Sequence, residues 1–289
     1  MTDLDHDELE QLYFVTTTAS ILSLLGCLFI ICAYLYFKEI RNLAFRLVFY
    51  LSIIDAIHSL VFMIPNYKDN DGDSVLCKIQ AVGLTFFTLA DVLITAEIAL
   101  VLYVAVVKEK PIEKLEKWLL AVSLGMPLIA AILPFTTSSY GNAKGWCWIP
   151  DEGTHIVWIV ITLYGPLWVI IAFNIYAYFS VIQKINTQIN MISEKEDFKR
   201  QLVRKLKFYP IILVICYLPD TVNRIYDFVN SNNPNYALTM IAGASTCLTG
   251  ILNALLYGFT DVVRQALRRT CLKRRYSTSD SESSLFETI

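Results

Sequence analysis

Ionisable side chains inside long apolar segments are the residues of this chain whose types and spacing could support chemistry. Asp55, Asp91 and Glu97 each lie in such a segment. A carboxylate is costly in the hydrocarbon of a bilayer, so these side chains must face other helices or water. Asp55, Asp91 and Asn253 are expected at comparable depths. They form either a cluster that binds a sodium ion or a proton and rearranges on activation, or a static hydrogen-bonded network.

A second group of polar residues surrounds a proline in another apolar segment. Pro219 removes a backbone hydrogen bond and kinks a helix, so the inner end of this helix can move as a lever. Asp220 and Arg224 are four residues apart and therefore share one helix face. Arg224 either binds an anionic ligand group or forms an internal salt bridge with Asp220 or Asp227. The residues expected to bind a ligand are Asp220, Asn223, Arg224, Asp227, Trp146 and Trp148.

The last apolar segment holds a third pattern. Asn253 and Tyr257 are four residues apart, which places an amide and a phenol on one side of a helix, spaced like a switch between two states. The residues expected to form the polar core and switch are Asp55, Asp91, Glu97, Pro219, Asn253 and Tyr257.

Segments of this kind require a membrane to position them. The 289 residues are 55% hydrophobic and only 17% charged, whereas a globular domain has about 25% charged residues. The apolar runs are continuous rather than alternating, which predicts helices and not a barrel. We predict an all-α membrane protein with a seven-transmembrane helix bundle, in which the third helix is central. The helices are expected at about residues 12–37, 44–65, 77–108, 115–134, 154–182, 206–229 and 236–258.

The distribution of Lys and Arg predicts the orientation. Most of them follow the first, third, fifth and seventh predicted helices, which puts the N-terminus outside and the C-terminus in the cytosol. Residues 1–11 are then an acidic extracellular tail, residues 12–270 the transmembrane domain, and residues 271–289 a cytoplasmic tail. This domain includes a short amphipathic helix on the membrane surface, with Arg264, Arg268 and Arg269.

Cysteine positions agree with this orientation. Cys77 at the outer end of the third helix and Cys147 in the loop before the fifth both face the oxidising side. We therefore predict a disulfide between them. Cys271 lies beside basic residues after the surface helix, where it is either a palmitoylation site or a free thiol.

The C-terminal tail is rich in serine and acidic residues. Phosphorylation would make it a strongly anionic docking strip, although its composition also suits a disordered, solvated tail. The candidate phosphorylation sites are Ser277, Thr278, Ser279, Ser281, Ser283 and Ser284. The terminal Glu287-Thr-Ile289 has the acid-x-aliphatic pattern that a PDZ domain accepts by strand addition. An arrestin-like or a PDZ partner is the expected partner of this tail.

Several short motifs occur in an order that is typical of one receptor family. They are Tyr103 before Val107-Lys108-x-x-Pro111, Gly125-Met-Pro-Leu-Ile129, Gly145-Trp-Cys-Trp-Ile149, Leu163-Tyr-Gly-Pro166 and Val222-Asn-Arg-Ile225. Over about residues 20–265 the chain resembles the cAMP-receptor-like seven-helix G-protein-coupled receptors of class E, first known from slime moulds. The resemblance implies a multi-pass plasma-membrane receptor that acts as an exchange factor for a heterotrimeric G protein, with Cys77 and Cys147 bridged.

The basic inner surface is the expected contact for that G protein. Its residues are Tyr103, Lys108, Lys110, Arg204 and Lys205. A basic rim also attracts the anionic inner leaflet of the bilayer. The chain reads Leu100-Val-Leu-Tyr103 where rhodopsin-like receptors have Asp-Arg-Tyr, and Asn253-Ala replaces the familiar Asn-Pro. The first departure distinguishes class E from rhodopsin-like receptors, because class E receptors lack that motif, as this chain does.

The charge of the outer surface bears on the ligand. The founding members of this family bind extracellular cAMP, an anion, whereas the outer segments here hold many more Asp and Glu than Lys residues. Such a field repels anions. We therefore expect a small extracellular ligand, and a cationic or neutral compound is an alternative to cAMP. cAMP stays an open alternative but is not favoured.

Two other classes of protein fit parts of the pattern. A seven-helix transporter or channel would use Asp55, Asp91 and Glu97 as a proton or ion path, but the chain has no internal repeat or paired broken helices. An intramembrane enzyme would need a motif such as His-Glu-x-x-His or Gly-x-Ser-x-Gly, and the chain has neither. His58 stands alone in its helix, as is typical of a packed histidine. We expect a receptor that is not an enzyme, with no cofactor, metal or nucleic-acid partner.

Overall fold

Helices make up most of the structure. A computed structural model of the chain describes residues 5–41, 43–65, 74–110, 116–143, 145–150, 153–189, 209–230 and 234–258. Helices α1 to α4 are His6–Tyr36, Leu43–Phe62, Val75–Val106 and Glu116–Ile132. Helix α5 consists of Ile156–Ile159, a π-helical turn Val160–Tyr164 and Gly165–Ile189. Helix α6 is Tyr209–Val229, and α7 consists of Tyr236–Cys247, Thr249–Asn253 and a π-helical turn Ala254–Gly258.

Most of these helices are able to cross a membrane. Among the described residues, α1 to α5 are long and apolar enough, and α7 is a sixth span when its two pieces count as one bent helix. The outer half of α6 is more polar, because it carries Asp220, Arg224 and Asp227, and all three side chains are buried. A membrane helix turns its ionisable groups away from lipid in this way. The chain is thus an all-α membrane protein, as predicted.

Helix α3 has the central position that was predicted for it. It packs against α2, α4 and α5, while α7 packs between α6 and α1. The outer surfaces of α1 and α5 expose large apolar side chains, among them Leu25, Val169 and Phe179. Such a surface suits contact with lipid tails. Between α4 and α5 the chain forms an antiparallel hairpin of β1 (Gly141–Asn142) and β2 (Cys147–Trp148).

Helix α7 is broken after Cys247, and its two pieces meet at an angle of 44°. The Ser23 hydroxyl of α1 bridges the break. It donates to the Cys247 carbonyl at 2.6 Å and accepts from the Ile251 amide at 3.0 Å. A Cβ on Gly250 would lie 2.8 Å from Cys27 Sγ, so only glycine lets α1 and α7 approach this closely. A serine of a neighbouring helix therefore takes up the backbone groups that the break exposes.

Several helix ends differ from the predicted positions, most of all the start of α1 and the end of α5. Helix α1 begins at His6, inside the predicted acidic tail, because Asp5 and Glu8 form a capping box that stabilises an earlier start. After α4 the chain continues in a 3-10 turn, Leu133–Thr137. Helix α5 extends to Ile189, beyond its predicted end at residue 182. The predicted surface helix with Arg264, Arg268 and Arg269 lies outside the described residues.

Candidate ligand site and polar core

Arg224 lies near the outer end of the bundle, where helix α6 meets the hairpin. Its guanidinium carbon is 4.9 Å from the centroid of the Trp148 ring and 5.7 Å from that of the Trp146 ring. All three side chains are buried. A cation over indole faces is a favourable contact, and removal from water strengthens it. Residues that the sequence predicted for a ligand site, although far apart in the chain, are therefore in contact.

The hairpin that carries both tryptophans is held at several points. Cys147 forms the predicted disulfide with Cys77 of α3. The Cys147 amide also donates to Gln80 Oε1 at 2.9 Å, and the side-chain nitrogen of Gln80 donates to carbonyl groups at the end of α2. Trp148 Nε1 donates to Thr85 Oγ1 at 3.0 Å. These bonds fix the orientation of the Trp148 ring above the bundle.

Two glycines let the hairpin sit close to α1 and α7. Gly145 has φ +139°, and a Cβ there would lie 2.5 Å from the Leu12 side chain of α1. A Cβ on Gly243 of α7 would lie 3.1 Å from the Trp146 ring. Burial raises the pKa of Tyr140 to about 12, so its hydroxyl stays protonated and donates to a carbonyl of α4 at 2.8 Å. The hairpin is thus wedged into the outer mouth of the bundle.

Helix α5 contributes a tyrosine to the site through its widened turn, Val160–Tyr164. Gly165 follows the turn because a Cβ there would lie 2.8 Å from the Val160 carbonyl oxygen. A π turn adds one residue to a helical turn and so changes which side chains face inward. The Tyr164 hydroxyl donates to an Asp220 carboxylate oxygen at 2.6 Å.

Asn223 and Asp227 lie on the part of α6 that faces α7. Asn223 Nδ2 donates to Asp227 Oδ2 at 3.2 Å, and Asn223 Oδ1 accepts from Thr239 of α7 at 3.3 Å. Both side chains are buried. These two predicted ligand residues therefore connect α6 to α7 beside the site.

A small cavity of about 30 Å³ is lined by both tryptophans. Its polar lining consists of Thr88, Asp220, Arg224 and Thr246, and the remaining walls are apolar side chains of α2, α3 and α5. This volume is enough for one or two water molecules. A larger ligand therefore requires side chains of the site to move.

The structure brings Asp55, Asp91 and Asn253 together in the middle of the bundle. Asn253 Nδ2 donates to Asp55 Oδ2 at 3.0 Å and to Asp91 Oδ1 at 3.3 Å. The Tyr217 hydroxyl of α6 donates to the other Asp91 oxygen at 2.7 Å. All four side chains are buried. Helices α2, α3, α6 and α7 therefore meet at two carboxylates, and the binding of an ion or proton by this polar core stays a prediction.

One further contact lies between the cavity and the polar core. Thr88 Oγ1 and His58 Nε2 are 3.1 Å apart, and both residues are buried. Thr88 precedes Asp91 by almost one turn of α3, and His58 follows Asp55 by almost one turn of α2. His58 is thus a packed, hydrogen-bonded histidine, in agreement with the expectation from its isolation in the sequence.

Glu97 lies apart from the polar core. It accepts a hydrogen bond from Ser123 of α4 and is buried where α3 contacts α4. Its hydrogen bond is therefore made to α4 and not to Asp55 or Asp91. The three carboxylates that an ion path would use do not form one cluster.

The inner end of α3 holds the described residues of the predicted G-protein contact. Lys108 Nζ lies 5.8 Å from the centroid of the Tyr103 ring, which is 5.9 Å from the Tyr176 ring of α5. Lys108 and Lys110 are both exposed. The inner ends of α3 and α5 thus present a basic and aromatic surface.

Other predicted residues fall outside the part of the chain that the structure describes. They are Arg204, Lys205, Cys271, Ser277, Thr278, Ser279, Ser281, Ser283, Ser284 and the side chain of Tyr257. Their roles stay predictions.

Two tyrosines of the site were not predicted from the sequence. Tyr217 precedes Asp220 by three residues and Arg224 by seven, so its place on the same face of α6 was a usable signal. Tyr164 offered no such signal, because the π turn before it shifts the helical register.

Seven packed helices with a disulfide-bound outer hairpin and a buried ionisable core are the architecture of G-protein-coupled receptors. The family model of the slime mold cyclic AMP receptor matches residues 4–255, so the chain belongs to this family of receptors. The family that the motifs indicated is thereby confirmed.

Individual relatives agree with this assignment. The chain is 29% identical over 266 residues to G-protein coupled receptor 1 of Arabidopsis thaliana, across 88% of this chain and 79% of that protein. It is 28% identical over 262 residues to Cyclic AMP receptor-like protein A of Dictyostelium discoideum, across 90% and 67%. It is 26% identical over 275 residues to G-protein coupled receptor 157 of Homo sapiens, across 86% and 81%. The chain therefore has the function of a receptor of the G-protein-coupled type.

Proposed function

We propose that this receptor lies in the plasma membrane, that a small extracellular ligand acts at the Arg224 site, and that helix α6 transmits the change to a heterotrimeric G protein. One observation carries the proposal, namely that a single helix contacts the hairpin, α5 and the polar core. Arg224 contacts the tryptophans, Asp220 accepts from Tyr164, and Tyr217 donates to Asp91.

The position of a proline supports movement of α6. Pro219 lies inside the helix, between Tyr217 and Asp220. Because proline removes a backbone hydrogen bond, the parts of α6 before and after Pro219 can change direction relative to each other and to the hairpin. A ligand shifts such an equilibrium only if it binds the two arrangements with different affinity. A ligand that alters the contact between Arg224 and the tryptophans meets this condition, because the contact joins a tethered hairpin to a movable helix.

The proposed partner surfaces lie on the cytoplasmic side. Exposed Lys108 and Lys110, next to Tyr103, support the G-protein contact at the inner end of α3. An arrestin-like or PDZ partner for the C-terminal tail, and palmitoylation of Cys271, are proposed from the sequence alone.

Nucleotide exchange on heterotrimeric G proteins, in membranes that contain the receptor, tests this function with cAMP added or withheld. We expect exchange above that of empty membranes. We expect Asp91→Ala and Arg224→Ala each to change it, because each removes one contact of α6. Trp168→Phe, on the lipid-facing side of α5, is the control that should leave exchange unchanged.

Two outcomes separate the receptor from its alternative. A cAMP response that Arg224→Ala abolishes would assign the founding ligand of the family to this receptor. Absence of exchange with every G protein tried, together with a pH-dependent current that Asp91→Ala abolishes, would overturn the proposal in favour of an ion path.

A further inference from the structure

We infer that the ligand is an organic monocation, of the alkylammonium or guanidinium class, which takes the place of the Arg224 guanidinium against Trp146 and Trp148. The inference rests on the proposed function, because it requires a ligand that acts at this site. Aromatic faces with a carboxylate nearby are the means by which proteins bind organic cations. Here the two indole rings already hold a cation, which is the receptor's own Arg224.

The buried charges on α6 favour a cation over an anion. Asp220, Arg224 and Asp227 are only 8%, 6% and 1% exposed, so all three are removed from water. This part of α6 therefore has two carboxyl groups for one guanidinium. The oxygen atoms of these carboxyl groups attract a bound monocation and repel an anion. Such electrostatic interactions are stronger at a site removed from water than at an exposed one.

Arg224 keeps carboxylate partners within reach when a ligand replaces it at the tryptophans. Asp220 precedes it by four residues and Asp227 follows it by three, so both carboxylates neighbour Arg224 on α6. The flexible stem lets the guanidinium leave the tryptophans and still lie beside a carboxyl group. The ligand's cationic group then lies between the tryptophans of the hairpin and the carboxyl groups of α6. The ligand thereby acts directly on the movable helix.

The cavity is so small that a ligand must replace the Arg224 guanidinium at the tryptophans and cannot bind beside it. The space of about 30 Å³ at the tryptophans leaves no room for an organic cation beside the guanidinium.

The outer end of α1 supports the same charge preference, since Asp7 and Glu8 lie in its first turn. This helix adjoins the hairpin where Leu12 approaches Gly145. Carboxylates at this position attract cations toward the hairpin before they bind.

Choline and its uncharged isostere 3,3-dimethyl-1-butanol are a matched pair of probes for this inference. The full-length receptor in lipid nanodiscs is titrated with each compound at constant ionic strength, and binding is read from tryptophan fluorescence and from the thermal midpoint. We expect choline to change both in a saturable manner and the isostere to change neither. Equal binding of the two compounds would overturn the inference, because the site would then not distinguish a charged ligand from a neutral one.

Substitutions at the site give opposite expected effects. Asp227→Asn removes one negative charge with little change of shape and is expected to weaken choline binding about tenfold. Arg224→Gln removes the internal competitor and is expected to tighten choline binding about tenfold. Trp148→Leu removes an aromatic face and should abolish binding, whereas Trp148→Phe should retain it in weaker form. Trp168→Phe serves as the control for tryptophan replacement.

The remaining outcomes distinguish this inference from the function on which it rests. Choline binding that Asp227→Asn leaves unchanged, or its absence in both the wild type and Arg224→Gln, would overturn the inference. Saturable binding of cAMP that Arg224→Gln abolishes would also overturn it, in favour of an anion. Nucleotide exchange without choline binding leaves the receptor function standing, whereas choline binding without exchange would overturn the proposed signalling and not the choice of ligand class.

Discussion

Two buried carboxylates share one amide group at the centre of this receptor. Asn253 donates to both Asp55 and Asp91, and Tyr217 donates to Asp91 from another helix. A buried acceptor that loses its donor is left unsatisfied, which costs more than the bond contributes when it is made. The stability of four helices therefore depends on a few hydrogen bonds.

Removal of these donors should destabilise the receptor in a non-additive way. Asn253→Ala is expected to lower the free energy of unfolding by about 2–3 kcal/mol, and Tyr217→Phe by about 1–2 kcal/mol. Because both donors act on Asp91, the double variant should differ from the sum by more than about 0.5 kcal/mol. Unfolding in detergent measures all three. Tyr36→Phe, which is 69% exposed, is the control, and strictly additive losses would contradict a shared network.

The sequence predicted the members of the polar core better than their partners. Asp55, Asp91 and Asn253 were identifiable because ionisable and amide groups inside apolar helices must find one another. Tyr217 shares a face of α6 with Asp220 and Arg224, but its bond to Asp91 was missed, since the spacing along one chain does not show which helices are neighbours. Glu97 was grouped with the core because it is an ionisable residue inside the same apolar segment as Asp91. It lies six residues after Asp91, however, and at 3.6 residues per turn the two occupy different faces of α3.

At the scale of elements, the break in α7 depends on a close approach of two helices. The Ser23 hydroxyl of α1 bonds to backbone groups on both sides of the break, and Gly250 lies against the same part of α1. The bend is thus built from a side chain of α1 and not from a proline in α7. A change in the distance between α1 and α7 would therefore alter the direction of the inner end of α7.

Two glycine substitutions test this close approach. Gly250→Ala is expected to destabilise the receptor by about 1–3 kcal/mol, because the new Cβ would meet Cys27 Sγ at 2.8 Å and Asp55 Cβ at 3.2 Å. Gly125→Ala is the matched control in α4, where a Cβ would meet nothing within 4 Å. It should be neutral or stabilise by about 1 kcal/mol, since alanine favours a helix. Equal thermal midpoints for the two variants would refute the packing argument.

The elements themselves differ in how well a sequence predicts them. Most of the helices were predictable because a membrane span needs about 20 apolar residues, which is a long and local signal. The break in α7, the π turn in α5 and the strands of the hairpin were not predicted. The break and the hairpin are each held by a contact with a distant residue, Ser23 for the break and the Cys77 disulfide for the hairpin.

At the scale of the whole molecule, ion pairs connect the inner ends of the helices. Arg46 of α2 makes a bidentate pair with Glu116 of α4 at 2.8 and 2.6 Å. Lys184 of α5 pairs with Glu109, just beyond α3, at 3.1 Å. Lys108 and Lys110 flank that pair and stay exposed on the surface proposed for the G protein.

Charge reversal on this surface should weaken the G-protein complex. The double variant Lys108→Glu, Lys110→Glu is expected to lower the affinity for the G protein about tenfold at low salt, and high salt should reduce the difference. Lys78→Glu, the same change on the outer side, is the control. Co-sedimentation of G protein with receptor vesicles measures the affinity. A loss that does not depend on salt would contradict an electrostatic contact.

The wedged hairpin also determines how quickly the receptor responds. Trp146 and Trp148 line a cavity of about 30 Å³, so a ligand at the proposed Arg224 site binds only after side chains there have moved and opened the mouth. Association is then limited by the frequency of opening and not by diffusion, and a bound ligand leaves only when the mouth opens again. Such a receptor averages its stimulus over the residence time of the ligand instead of following each fluctuation. Its output therefore records the recent history of the ligand outside the cell.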